Sequence, residues 1–174
     1  TRYFKNPPKW TGQSTEDFQN SVEGFFEVFY PLDSNHSVTI NPFFRKDEID
    51  ENRDLLDVRE GYWLFESDLI EVLVGVDTVF WGVTESINLV DVINQTDAGD
   101  FSGDQKLGQP MINLKFLPEY GTFSFYLLPY FRERSFSGYE GRFRGATVIE
   151  KNDSEFESAD AQHNLDVALR YSHY

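Results

Sequence analysis

Seven stretches of this chain alternate apolar and polar residues with a period of two, which commits them to β-strands carrying one apolar face. In the first, Val22, Phe26, Val28 and Tyr30 share a face, opposite Glu23, Phe25, Glu27 and Phe29. Next, Val38, Ile40, Pro42 and Phe44 alternate with Thr39, Asn41, Phe43 and Arg45. A third places Leu56, Val58, Tyr62 and Leu64 opposite Asp57, Arg59, Gly61 and Trp63, with Glu60 interrupting the apolar side. The cleanest is the fourth, where Ile70, Val72, Val74, Val76, Thr78 and Phe80 oppose Glu71, Gly75 and Asp77. Ile112, Leu114 and Phe116 follow. Phe123, Phe125, Leu127, Pro129 and Phe131 then oppose Thr122, Ser124, Tyr126, Tyr130 and Arg132. Last, Leu165, Val167, Leu169 and Tyr171 oppose Asp166, Ala168, Arg170 and Ser172.

Two architectures accept such strands: a soluble β-sandwich, with one face in a core, and a transmembrane β-barrel, with one face in lipid. Several segments approach the roughly 9–11 residues that a tilted barrel strand needs, beyond the roughly 5–6 usual in a sandwich. The non-apolar faces and their extensions carry charges of both signs, as a barrel lumen would: Glu23, Glu27, Arg45, Asp57, Arg59, Glu71, Asp77, Arg132 and Arg170. Apolar faces often end in Phe, Tyr or Trp, as an interfacial aromatic girdle does. Short links (31–36, 66–68, 118–121) alternate with long ones (46–54, 82–109, 133–162). That is the loop pattern of outer-membrane barrels, although it starts the first strand on the long-loop, external side.

Composition removes other classes. Thirty Asp and Glu against 15 Lys and Arg give a net charge of -15, the wrong sign for a nucleic-acid surface. No Cys is present, so disulfides, thiolate metal sites and thiol nucleophiles are excluded together. No apolar run reaches the about 18 residues of a transmembrane helix.

Chemistry-bearing motifs are few. The acidic stretches 47–51, 97–104 and 150–160 offer oxygen ligands of the kind calcium takes, but none has EF-hand spacing, and solvated loops are the simpler reading. Arg132, Arg134, Arg142 and Arg144 form the one basic concentration, suited either to anionic lipopolysaccharide or solute, or to salt bridges with the excess carboxylates. Glu71 and Asp77 share a face, yet at about 3.3 Å per residue they stand roughly 20 Å apart, too far for paired acid–base work. His36, His163 and His173 are scattered, and neither a nucleophile elbow nor a phosphate-binding loop occurs. No enzyme activity, cofactor or metal is expected.

The segments FWGVTESINLVDVINQTD (80–97), DQKLGQPMINL (104–114) and LLPYFRERSFSGYEGRFR (127–144), with VREGYW before them and LDVALRYSHY after, resemble an uncharacterised family of proteobacterial outer-membrane β-barrel proteins. The resemblance spans roughly residues 20–174. It implies a porin-like barrel with more strands than these, of which this chain is the N-terminal part, and no catalytic residue carries over. The phase of the last strand agrees, since it sets His173 outward and Tyr174 inward, where a finished barrel ends on an outward aromatic.

The expected fold is therefore all-β: an antiparallel up-and-down meander forming part of a transmembrane β-barrel. Residues 1–17 are an irregular lead-in and 18–174 the incomplete barrel portion, with one short helix (84–94) in the long loop followed by an acidic tip. The expected function is passage of solutes through a charge-lined lumen in a bacterial outer membrane, the signal peptide lying outside this chain. Lipid and lipopolysaccharide are its expected surroundings. The alternative is a soluble β-sandwich binding module, for carbohydrate for example.

Overall fold

The computed structural model describes residues 1–81, 92–100, 102, 105–150 and 153–173. It is all-β and antiparallel. The strands are β1 (Arg2–Tyr3), β2 (Phe18–Gln19), β3 (Ser21–Phe25), β4 (Val28–Pro31), β5 (His36–Asp47), β6 (Leu55–Glu66), β7 (Ile70–Asp77), β8 (Gln109–Phe116), β9 (Thr122–Leu128) and β10 (Asp166–Ser172). β1, inside what reads in sequence as an irregular lead-in (1–17), pairs with β2 just beyond it in a two-residue ribbon. The rest make one sheet in the order β10-β9-β8-β7-β6-β5-β3, with β4 also on β5. Each strand neighbours the next along the chain, with β3 and β4 both on β5, and each of the seven alternating segments contains strand, although Thr78–Phe80 and Pro129–Arg132 lie beyond β7 and β9.

Two of them depart from simple alternation. β3 and β4 are one strand with a gap: pairing runs from Phe25↔Phe43 to Val28↔Ile40 in a single frame. The gap at Phe26–Glu27 lies opposite Pro42, whose ring nitrogen has no hydrogen to give a ladder. On the other side of β5 the register shifts between Asn41 and Pro42, so that Asn41 meets Glu60 but Pro42 meets Val58. Arg59 is the extra residue of a β-bulge, and a bulge reverses every side chain beyond it. The expected grouping of Tyr62 and Leu64 with Leu56 and Val58 is therefore corrected. Tyr62 and Leu64 point to the polar side and pack against Leu73 and Met111, while Trp63 takes the apolar side opposite Val74.

Register assigns each face. Directly paired residues point the same way in an antiparallel sheet. Val167, Leu127, Ile112, Val74, Trp63, Val38 and Tyr30 form one unbroken apolar row across seven strands. Other residues on this side are exposed too, Leu56 at 87% and Leu169 at 78%. Nothing described packs over this bare face. The opposite face is covered. Val79, Trp81 and Ile93 fold onto Leu73, Met111 and Tyr126 there, forming a small apolar core. Among the described residues six apolar side chains are buried, against seventeen polar or charged ones.

The two ends differ as well. At one end the turns 32–35, 67–69 and 117–121 are short, and aromatic rings cluster on the bare face beside them. His36 stacks on Trp63 at 5.3 Å, and Phe123 lies 4.7 Å from Tyr171. At the other end the described parts of the links 48–54, 78–108 and 129–165 gather with residues 1–20. Among the described residues β3–β4 and β10 do not pair with each other, so the sheet has two free edges. Of the helix expected over 84–94, residues 82–91 lie outside the described residues, while Val92–Asn94 are not helical.

Candidate functional site

The covered face collects most of the charged residues singled out from the alternation. Arg45 is 3% exposed, with Glu23 opposite it in register and exposed at the β3 edge. Glu27 is exposed in the gap between β3 and β4. Asp57 pairs with Arg132 at 2.6 Å, and Arg132 also donates to the Gly108 carbonyl at 2.7 Å. The Arg59 guanidinium lies 3.7 Å from the centre of the Phe43 ring. Glu71 accepts from Lys115 on the neighbouring strand. Asp77 ends β7 and accepts the Thr78 N–H at 2.8 Å. Arg170 faces the same side from the edge strand β10, opposite Ser124.

Toward the long-link end, two arginines tie separate segments together. Arg45 Nη2 donates to Asp97 Oδ1 at 3.2 Å, and its Nε donates to the Arg53 carbonyl at 2.7 Å. The 2.8 Å approach of Nη1 to Asp97 Oδ2 is a charge contact without hydrogen-bond alignment. Asp100 lies 3.5 Å from the same guanidinium. Arg53 binds Asp47 at 2.5 Å and the Gly99 carbonyl at 2.6 Å, with its guanidinium 4.4 Å from the Phe143 ring centre. Asp47 also accepts from Gln19 and from the N–H groups of Ile49 and Asp50. Burial lowers the Arg53 pKa, with Asp47 opposing and Arg45 adding to the effect. Asp50 accepts from the N–H groups of Gly138 and Asn52, yet burial still pushes its carboxyl above the ordinary value.

These contacts account for part of the acidic and basic runs among the described residues. Asp47, Asp97 and Asp100 serve buried arginines. Arg144 donates to the carbonyls of Tyr139 and Thr11, and Arg142 to those of Ser14 and Asn6. Both guanidiniums thus hold the N-terminal segment against 135–145, and of the basic concentration only Arg134 is exposed. Salt bridges are one of the two readings open in the sequence here. Backbone carbonyls take the larger share, because closely packed loops leave acceptors that strand pairing does not satisfy.

Between cap and turns, a groove of about 400 Å³ lies on the covered face, lined by Glu71, Lys115, Trp81, Tyr126, Ser124 and Arg170 among others. Trp81 stands edge-on to Tyr126 at 5.3 Å, and its indole N–H points to the Tyr126 hydroxyl at 3.4 Å. Asn94 fixes the approach. It accepts the Val79 N–H at 2.8 Å and donates to the carbonyls of Asp77 and Leu107 at 2.9 Å each. Asn94 carries no periodic signal, and only its three backbone partners reveal it. A larger hollow of about 910 Å³ lies among the long links near Phe131, Phe136 and Phe156, away from the charged rows of the sheet.

No family model, curated protein or solved structure matches this chain.

Proposed function

We propose that this chain is a sector of an outer-membrane β-barrel whose covered, polar face lines a passage for small solutes. The observation that carries the reading is the apolar row from Val167 to Tyr30: seven strands wide, without a charge and without a covering layer. A large continuous apolar surface opposed by a charged one is the arrangement a barrel wall needs between hydrocarbon and water. Aromatic rings gathered at the short-turn end match an interfacial girdle, and the resemblance of 20–174 to outer-membrane barrels points the same way. In hydrocarbon a free sheet edge leaves N–H and C=O groups unpaired, so β3–β4 and β10 require further strands to close the wall. A sandwich is less well supported, because the one other sheet among the described residues is the two-residue ribbon.

A single position tests the reading. In the full-length protein, Val74→Arg should cost about 2–4 kcal/mol of stability near the bilayer midplane, whereas Val74→Phe should be nearly neutral because lipid adapts to a larger apolar side chain. Denaturant titrations after refolding into vesicles give both values. If Val74→Phe proved as damaging as Val74→Arg, the face packs against protein and the proposal fails. Gly75 is unsuited as the polar-face control. Its φ is +145°, and a Cβ there would sit 2.3 Å from the Gly61 carbonyl oxygen.

A further inference from the structure

Across the covered face, Arg170, Ser124, Lys115 and Glu71 occupy one register row on four successive strands. Lys115 is neutralised by Glu71. Arg170 differs: among the described residues no carboxylate or carbonyl engages its guanidinium, which opens into the groove. The row continues to Glu66 on β6, opposite Glu71, so its charges balance, but Arg170 is its one cation without an ion-pair partner among the described residues. One inward position along β10, Ala168 stands opposite Tyr126, so Tyr126 is the diagonal neighbour of Arg170, within about 7–8 Å and within reach of long side chains. Trp81 meets Tyr126 at 61°; Tyr126 is 3% exposed and belongs to the covered core, so Trp81 is the half-buried ring that a flat guest in the groove can reach.

We infer that this groove is a binding site for a small aromatic monocarboxylate, its carboxylate on the Arg170 fork and its ring against Trp81. The inference rests on the covered face being the solute-lined side of the protein. A guanidinium presents paired N–H groups that match a carboxylate in plane, and such charge-assisted bonds are about twice as strong as neutral ones. A single unpaired guanidinium, in a groove that also holds Asp77, matches one carboxylate. The small residues at Ser124 and Ala168 leave room beside the guanidinium.

The test uses the full-length protein in detergent, with benzoate, benzyl alcohol and acetate as probes and indole fluorescence or calorimetry as the readout. Benzoate should bind saturably, and more tightly than either benzyl alcohol, which lacks the charge, or acetate, which lacks the ring. Arg170→Gln should weaken benzoate about tenfold or more, with Arg170→Lys intermediate because it keeps the charge without the fork. Both variants should fold, since no described partner depends on Arg170. Benzoate bound equally by Arg170→Gln and the parent, or no more tightly than benzyl alcohol, would overturn the site. Planar-bilayer conductance judges the underlying reading separately. A protein that binds benzoate through Arg170 but conducts nothing keeps the site and loses the passage, while a conducting protein without Arg170-dependent binding does the reverse.

Discussion

Val167, Leu127, Ile112 and Val74 lie in one row of the bare face, and Ala168, Tyr126, Asn113 and Leu73 in the adjacent row of the covered face. The two rows use the same four strands, one residue apart. Ile112 and Val74 are each 41% exposed, whereas Asn113 is 3% and Leu73 5% exposed. In a water-soluble sheet the apolar row would be the hidden one. Here chain segments bury the covered-face row, in which Asn113 sits among Ala168, Tyr126 and Leu73, and leave the wholly apolar row open. Cohesion within the chain therefore comes mainly from hydrogen bonds and ion pairs, with a small apolar core, while the apolar face contributes only where its surroundings are also apolar.

The first way to break this contrast is at the polar brace. Asp97→Ala leaves the Arg45 guanidinium buried without its main partner, and should cost about 3–5 kcal/mol in denaturant titrations of the full-length protein. A loss below about 1 kcal/mol would mean that the long-link end is held by something else. A matched pair of truncations sharpens the contrast between faces. Leu73→Ala opens a cavity in the covered core and should cost about 2–5 kcal/mol. Leu114→Ala, on the bare face of the next strand, leaves no cavity within the protein and should cost under about 1 kcal/mol. Equal costs would place protein over the bare face.

The smallest effect expected is a pH dependence at Asp50, in the link beyond β5. Its folded pKa lies above the unfolded value because burial penalises the charged carboxylate. The folded state therefore holds the proton longer. This contribution is full at low pH and is lost as pH rises through the carboxylate range toward the folded value. Asp50→Asn keeps one oxygen for the Gly138 N–H and removes the titration, so its stability should decline less over that window. Parallel pH profiles of parent and variant check the sign, and a steeper decline in the variant would reverse the assignment.

How much of this was legible in the sequence depends on range. Alternation along 70–77 or 165–172 gives strand, face and phase from neighbours two residues apart, and the structure keeps them. The reversal at Arg59 was not legible, because a bulge depends on which residue of β5 meets β6, and only the stray Glu60 in the apolar pattern hinted at it. Charged residues on the polar side could be named from alternation. Their partners could not: Asp97 lies 52 residues from Arg45, and Arg132 lies 75 from Asp57. Arg170 was among the charged candidates, but that none of the described residues pairs with it is a fact of three dimensions.

Asn94 has a consequence for chain design. Its side chain pins Val79 and Leu107, so the 78–108 link is closed at its base by hydrogen bonds to its two flanks. Closing a segment with fixed ends costs entropy only as the logarithm of its length, roughly 0.6 kcal/mol for each doubling. Extra length within the link would thus be borne by a staple that is already set, and Asn94 is the residue that a chain engineered there must keep.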